Sequence, residues 1–316
     1  MDGMHDNSAM MFAATTQRTL KAAIGCVGVG VHSGRHVSLT LRPAAPDHGI
    51  VFRRTDLGRD LPARFDWVAD TRLCTVLADP ANPKVSIGTV EHVMAALVGA
   101  GIDNAVVEVD GPEVPILDGS ASPFLFLIDC AGIVEQDAPS RVIEVLRPVR
   151  VTDANAFAEL RPANFGAASL EMAVSIDFAA AAIGRQALSL TLSADNFRRE
   201  IAAARTFALA GDIARLREAG LALGGSLDNA VVVDGARVLN PAGLRSSDEF
   251  VRHKLLDAVG DLALAGARLR GRFLAHRTGH TLNNRLLRAL FADPAAWRMV
   301  GAAPMSASTI LERVAA

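Results

Sequence analysis

The sequence predicts an α+β protein of two similar domains, each a β-sheet layered on paired α-helices. Three observations lead there. Alternating apolar and polar stretches give way to stretches of helical periodicity in both halves of the 316-residue chain. The order of strands followed by helix, strand and helix occurs twice. The tetrapeptide Leu-Arg-Pro-Ala stands at 41–44 and again at 160–163, each time at the end of an expected strand. The boundary falls near Pro139–Ser140, giving domain I over 17–139 and domain II over 140–300. Residues 1–16 read as a flexible N-terminal extension and 301–316 as a C-terminal tail.

In domain I, VGVGVHSGRHVSLTLRPAAPDHGIVFRR reads as two strands around a Gly-containing turn, with a third strand near Ile50–Arg53. A helix is expected from Thr89, taken as its N-cap, to Val98, stopped by Gly99 and Gly101. NAVVEVDG is a strand, and a second helix starts at Ser122–Pro123. Domain II repeats the plan. VLRPVRVTDANAFAELRPANF is strand, turn, strand; LEMAVSIDF is a strand; EFVRHKLLDAVGDLALAG is a long helix. GRFLAHRTG is a strand and HTLNNRLLRALFAD a closing helix. The stretch at about 206–234 has no counterpart in domain I and reads as an insertion of strand, helix, glycine turn and strand. Facing helices of the two domains place their histidine-bearing elements at a shared cleft, where any active site is expected.

Composition narrows the function classes. Half the residues are hydrophobic and the formal net charge is -2, so bulk electrostatic binding to nucleic acid or membrane surfaces is unsupported. No apolar run is long enough to span a bilayer, and the first sixteen residues lack the basic and apolar regions of a signal peptide. Cys26, Cys74 and Cys130 are widely spaced and odd in number, which fits a reducing, cytoplasmic setting better than a disulfide framework. Cys74 reads as a buried strand thiol. Lysine is confined to Lys21, Lys84 and Lys254.

The chemistry concentrates in RHKLLDAVGD. His253 and Asp257 are four apart on one helix, so both side chains leave the same face. That spacing serves either a plain His–Asp hydrogen bond or two ligands of one metal ion. The apolar surroundings favour the ion, because a buried carboxylate needs a compensating cation. His92 can supply a third ligand, with Glu91 reaching past it as general base. Two histidines and one aspartate with an open fourth position form the catalytic zinc pattern, in which bound water becomes nucleophilic. His280 opens the closing helix, where Asp261 can bond its ring and hold one tautomer for acid or electrostatic work; capping of the helix is the other reading. His32 lies on a turn able to approach this centre. His36 and His48 read as surface residues and His276 as structural. A non-catalytic protein with a structural metal would close its site with four ligands, and Glu91 and His280 would be surplus to it.

With these residues assembled, the chain resembles the UDP-3-O-acyl-N-acetylglucosamine deacetylase family, zinc amidases of lipid A biosynthesis in Gram-negative bacteria. The matching stretches include QRTL at 17–20, GVGVHSG at 28–34, TVEHVMAAL at 89–97 and LDGSASPF at 117–124. They continue with ARTFALAGDI at 204–213, GGSLDNAVV at 224–232, LNPAGLRSSDEFVRHKLLDAVGDLAL at 239–264 and GHTLNNRLL at 279–287. The resemblance implies one Zn2+ held by His92, His253 and Asp257, with Glu91 as base and His280, positioned by Asp261, as second acid–base group. It implies that Thr206 bonds the developing oxyanion, and that Phe207 and Lys254 contact a UDP-linked acylated sugar. It makes the insertion an apolar passage for the acyl chain. Leu209, Ile213, Leu216 and Val232 suit its wall, and Gly224 and Gly225 permit close approach. A monomer is the simplest assembly.

Overall fold

The computed structural model describes residues 16–165 and 167–301. Most of the expected N-terminal extension and tail (1–15 and 302–316) therefore lies outside the described residues. The first half comprises β1 (Thr16–Leu20), β2 (Ile24–Val29), β3 (His36–Pro43), β4 (Ile50–Arg54) and β5 (Arg59–Pro62). Then come β6 (Val68–Asp70), β7 (Val76–Asp79), β8 (Asn82–Ile87), α1 (Glu91–Gly99), β9 (Ala105–Val109), α2 (Ser122–Ala131) and β10 (Ile133–Pro139). Five strands form a sheet in the order β2-β3-β9-β4-β5, while β6-β7-β8 form a small second sheet.

The second half opens with β11 (Val142–Val145), β12 (Val149–Asp153), β13 (Ala156–Arg161), β14 (Leu170–Asp177) and β15 (Arg185–Thr191). One turn of helix, α3 (Ala194–Asn196), precedes β16 (Phe207–Leu209), α4 (Ala210–Glu218), β17 (Val231–Asp234) and β18 (Arg237–Val238). The chain continues with α5 (Glu249–Ala263), β19 (Arg268–His276), α6 (His280–Ala292) and β20 (Trp297–Val300). β19 is the hub of a seven-stranded sheet, antiparallel to β13 and parallel to β11 and β14. Among the described residues no strand pairing joins a strand before position 140 to one after it.

Local pattern explains the elements. Burial alternates residue by residue along β14 and β19, as period-two side chains with one face on the core require. α1 is buried on nearly every side, which is why its sequence is apolar all round. Two expectations need correction. Thr89 is not the N-cap of α1: the helix starts at Glu91 after Val90, and Thr89 sits at φ 58° with its hydroxyl turned to Glu113. Cys74 is buried as expected but lies in the bend before β7, not in a strand.

The two halves meet where α1 crosses α5. Gly260 permits the crossing, since a Cβ there would stand 2.0 Å from the carbonyl oxygen of Glu91. This backbone-to-backbone approach sets Glu91 and His92 against the middle of α5. Gly260→Ala is expected to force the helices apart, at about 1–3 kcal/mol as for other overpacked cores. Thermal unfolding should show a lower midpoint, and an unchanged midpoint would mean that the crossing tolerates a methyl group.

Candidate metal centre and active site

α5 supplies most of the centre. Its first residue, Glu249, is fully buried and accepts from the backbone N–H of Arg205 at 3.0 Å and from Arg205 Nε at 2.7 Å. That pair fixes the segment 204–207 against the start of α5. The carbonyl of Ala204 thereby meets Nδ1 of His253 at 3.1 Å. With Nδ1 donating, His253 presents its Nε2 lone pair to the centre, 3.2 Å from Asp257 Oδ1. His92, arriving from α1, holds its Nε2 3.6 Å from the same oxygen.

These three side chains are buried, and one ligand atom from each lies within 4.8 Å of the others. Two donors bound to one tetrahedral zinc stand about 3.3–3.4 Å apart, given metal–ligand distances of about 2.0–2.1 Å. The spacings of 3.2 and 3.6 Å bracket that value. The buried Nδ1 of His92, on the far side of the ring from the cluster, has no hydrogen-bond partner among the described residues. Three protein donors of the N, N, O type are a catalytic zinc set, and the residues present fit that ion. Burial pushes the His253 imidazole down to about 3, which keeps it neutral and able to ligate. Burial would raise the Asp257 carboxyl, but His253 and Lys254 hold it well below the usual range. Lys254 Nζ donates to Asp257 Oδ2 at 2.8 Å.

Beside this cluster stands a buried carboxylate–imidazole pair. Glu91 is buried at the first position of α1, and the Thr75 N–H donates to its Oε2 at 3.0 Å. Burial pushes its carboxyl up, against the opposing pull of His280 and His92. His280 Nε2 lies 3.7 Å from Glu91 Oε1, and its Nδ1 lies 2.8 Å from Asp261 Oδ2. Burial disfavours the imidazolium, yet Asp261 and Glu91 outweigh it, and the ring is pushed up to about 10. Asp261 is held by Thr75 Oγ1 at 2.6 Å and Asn283 Nδ2 at 2.8 Å. Asp257 and Asp261, one turn apart on α5, thus face different partners.

A cavity of about 650 Å³ opens onto the centre. Glu91, His92, Thr206, Phe207, Ile213, Gly225, Val232, His253, Lys254, Asp257 and His280 lie on its wall. Asp261 sits behind the wall. Leu209 does not line it: this side chain is half-buried against the hydrophobic core. Phe207 packs edge-on against Phe250 and Phe178, at 5.0 and 5.5 Å between ring centroids, with Lys254 Nζ 5.5 Å from its own centroid. His32 is on the wall, whereas His36 and His48 are exposed and His276 bonds Ser175 Oγ at 2.9 Å. The sequence reading missed Thr75, Asn283 and the Arg205–Glu249 pair. Asn283 had a signal, lying three residues after His280 on one helix face. Thr75 had none, since its partners lie 16 and 186 residues away.

A two-histidine, one-aspartate cluster beside a buried carboxylate–imidazole pair, at the junction of two α+β halves, defines the class. The family model for UDP-3-O-acyl N-acetylglycosamine deacetylase matches residues 17–292. The chain is 51% identical over 286 residues to the UDP-3-O-acyl-N-acetylglucosamine deacetylase of Idiomarina loihiensis, covering 90% of this chain and 92% of that one. It is 52% identical over 286 residues to the enzyme of that name from Phenylobacterium zucineum, covering 90% and 96%. With the Myxococcus xanthus enzyme it shares 49% over 288 residues, 90% of each. The chain belongs to this deacetylase family.

Proposed function

We infer that the protein hydrolyses the N-acetyl amide of a UDP-3-O-(3-hydroxyacyl)-N-acetylglucosamine. The products are the UDP-3-O-acyl-glucosamine and acetate, the committed step of lipid A biosynthesis. The observation that carries the reading is the convergence of Glu91 and His280 beside His92, His253 and Asp257 on one cavity wall. Zinc held by those three ligands would supply Lewis acidity and a more acidic water at neutral pH. Glu91 takes the proton of the attacking water, a role suited to a carboxyl raised by burial. Thr206 donates its hydroxyl to the oxyanion as the carbonyl becomes tetrahedral. His280, protonated and held by Asp261, stabilises that charge and serves as acid when the C–N bond breaks.

Phe207 and Lys254 contact the sugar nucleotide, the ammonium by charge on phosphate. The acyl chain runs along Ile213, Leu216, Gly225 and Val232, supplied by the segment 206–234. The division into 17–139 and 140–300 accompanies this reading; among the described residues no sheet crosses position 140. A cytoplasmic monomer is the corresponding assembly, and none of the described helices is long and apolar enough to cross a membrane.

Acetate release from the UDP-acyl-sugar, abolished by chelator and restored by zinc, is the expected result. A zinc-replete sample that releases no acetate would overturn the reading. The pH profile adds a second check. The base must be deprotonated, so activity should rise with pH through a value above the ordinary carboxylate range, as the raised Glu91 requires. The acid must be protonated, so activity should fall as pH rises through about 10, the value of His280. In His280→Ala that alkaline limb is expected to disappear; its persistence would assign it to another group.

A further inference from the structure

The mechanism leaves four buried carboxylates unused, and three of them, Asp79, Glu159 and Glu249, pair with arginine. Glu113 is 4% exposed and has no arginine or lysine partner among the described residues. It belongs to the segment between β9 and α2, where it bridges to Gly88. Its charge is met by three donors. Oε1 accepts from the His32 N–H and the Thr89 hydroxyl, both at 2.9 Å, and Oε2 accepts from the Ser33 N–H at 2.8 Å.

The donors lead to two parts of the cavity wall. Thr89 lies two residues before Glu91 and occupies the left-handed region at φ 58°, an uncommon conformation for a β-branched residue. Its bond to Glu113 holds it there, and so sets the entry of α1 from which Glu91 projects. His32 and Ser33 belong to the turn between β2 and β3. Across that turn the carbonyls of Val31 and His32 accept from the N–H groups of Gly224 and Leu223, at 3.1 and 3.2 Å. The approach is close: a Cβ on Gly224 would stand 2.3 Å from the Gly30 oxygen, and one on Gly30 would stand 2.4 Å from Glu113 Oε2. Ala222 and Gly225, flanking that contact, line the cavity.

We propose that Glu113 is a positioning residue that clamps the segment bearing Glu91 to the turn seating the 222–225 rim of the cavity. It touches no reacting atom; it acts through Thr89 on one side and through His32 and Ser33 on the other. The idea rests on the deacetylase reading for its kinetic consequences, but not for its structural ones. A carboxylate suits the position because all three of its partners are donors, whereas an amide would direct its own N–H group at one of them.

The test compares Glu113→Gln, Thr89→Ala and Thr89→Gly with the zinc-loaded wild type. In Glu113→Gln, kcat should fall about tenfold or more with zinc content retained, while KM moves less, as expected when a base is displaced and the ligand set is not. Amide hydrogen exchange should quicken together at 31–33 and 222–224, a readout that needs no activity. Glycine adopts the left-handed region without a clamp, so Thr89→Gly should keep more kcat than Thr89→Ala. For the same reason, Thr89→Gly combined with Glu113→Gln should recover part of the loss. The Thr89 pair reads the same contact should Glu113→Gln fail to fold. Unchanged exchange in both segments of Glu113→Gln would overturn the clamp, as would Thr89→Gly falling below Thr89→Ala. Absence of acetate release by the wild type would overturn the deacetylase reading and leave the exchange result to decide the clamp.

Discussion

Glu91→Ala is expected to keep its zinc and lose turnover by about 10²–10⁴-fold, the range for removal of a general base. The two halves of that expectation have separate causes. Glu91 lies outside the cluster of three ligand groups, so its loss leaves His92, His253 and Asp257 in place. Its carboxylate, however, sits 3.7 Å from His280 Nε2 and is lifted by burial toward the pH at which a base works well. Truncation also removes one of the three carboxylates that hold His280 protonated, so the alkaline limb should move to lower pH. Metal analysis beside steady-state kinetics checks both halves. Full activity in the variant would remove Glu91 from the mechanism, and loss of zinc would make it a ligand.

Asp257→Ala and Asp261→Ala should fail in different ways, although the residues are one turn apart on α5. Asp257 Oδ1 is the atom on which both imidazoles converge, at 3.2 and 3.6 Å. Removing it leaves two ligands and a Lys254 ammonium without its carboxylate, so zinc affinity should fall by more than about 100-fold, beyond the effect of losing an outer-shell partner. Asp261→Ala should retain zinc. Its loss withdraws the leading charge that raises His280, so the alkaline limb should fall from about 10 and kcat should drop with it. Competition with a chromophoric chelator measures the first effect and the pH profile measures the second. Equal zinc loss in both variants would contradict the division of roles along the helix.

The site was unusually legible because its groups fall in short, regular spacings. His253, Asp257 and Asp261 share a face by the four-residue step of one helix, and an apolar setting made their charges conspicuous. Glu91 and His92 open another buried helix, and His280 opens a third. The strands with clean alternation, such as β14 and β19, were equally readable. Less visible were β6, β7 and β8, whose short ladders carry register shifts and little alternation. Thr89 misled because a threonine before an acidic helix start has the composition of a cap, while its backbone conformation was set by Glu113, 24 residues away.

Local order thus determined which residues lie on which helix face, and hence which groups could act together: periodicity is a property of neighbours along the chain. It could not assign partners across the fold. That Thr75 joins Glu91 to Asp261, that Arg205 and Glu249 lock the 204–207 segment to α5, and that Gly260 lets α1 touch α5 are consequences of packing. So is the placement of Leu209 against the core instead of the cavity, since a three-residue strand has too short a pattern to say which face its neighbours will cover. Contacts between distant segments depend on how whole elements fill space, and no spacing within either segment records them.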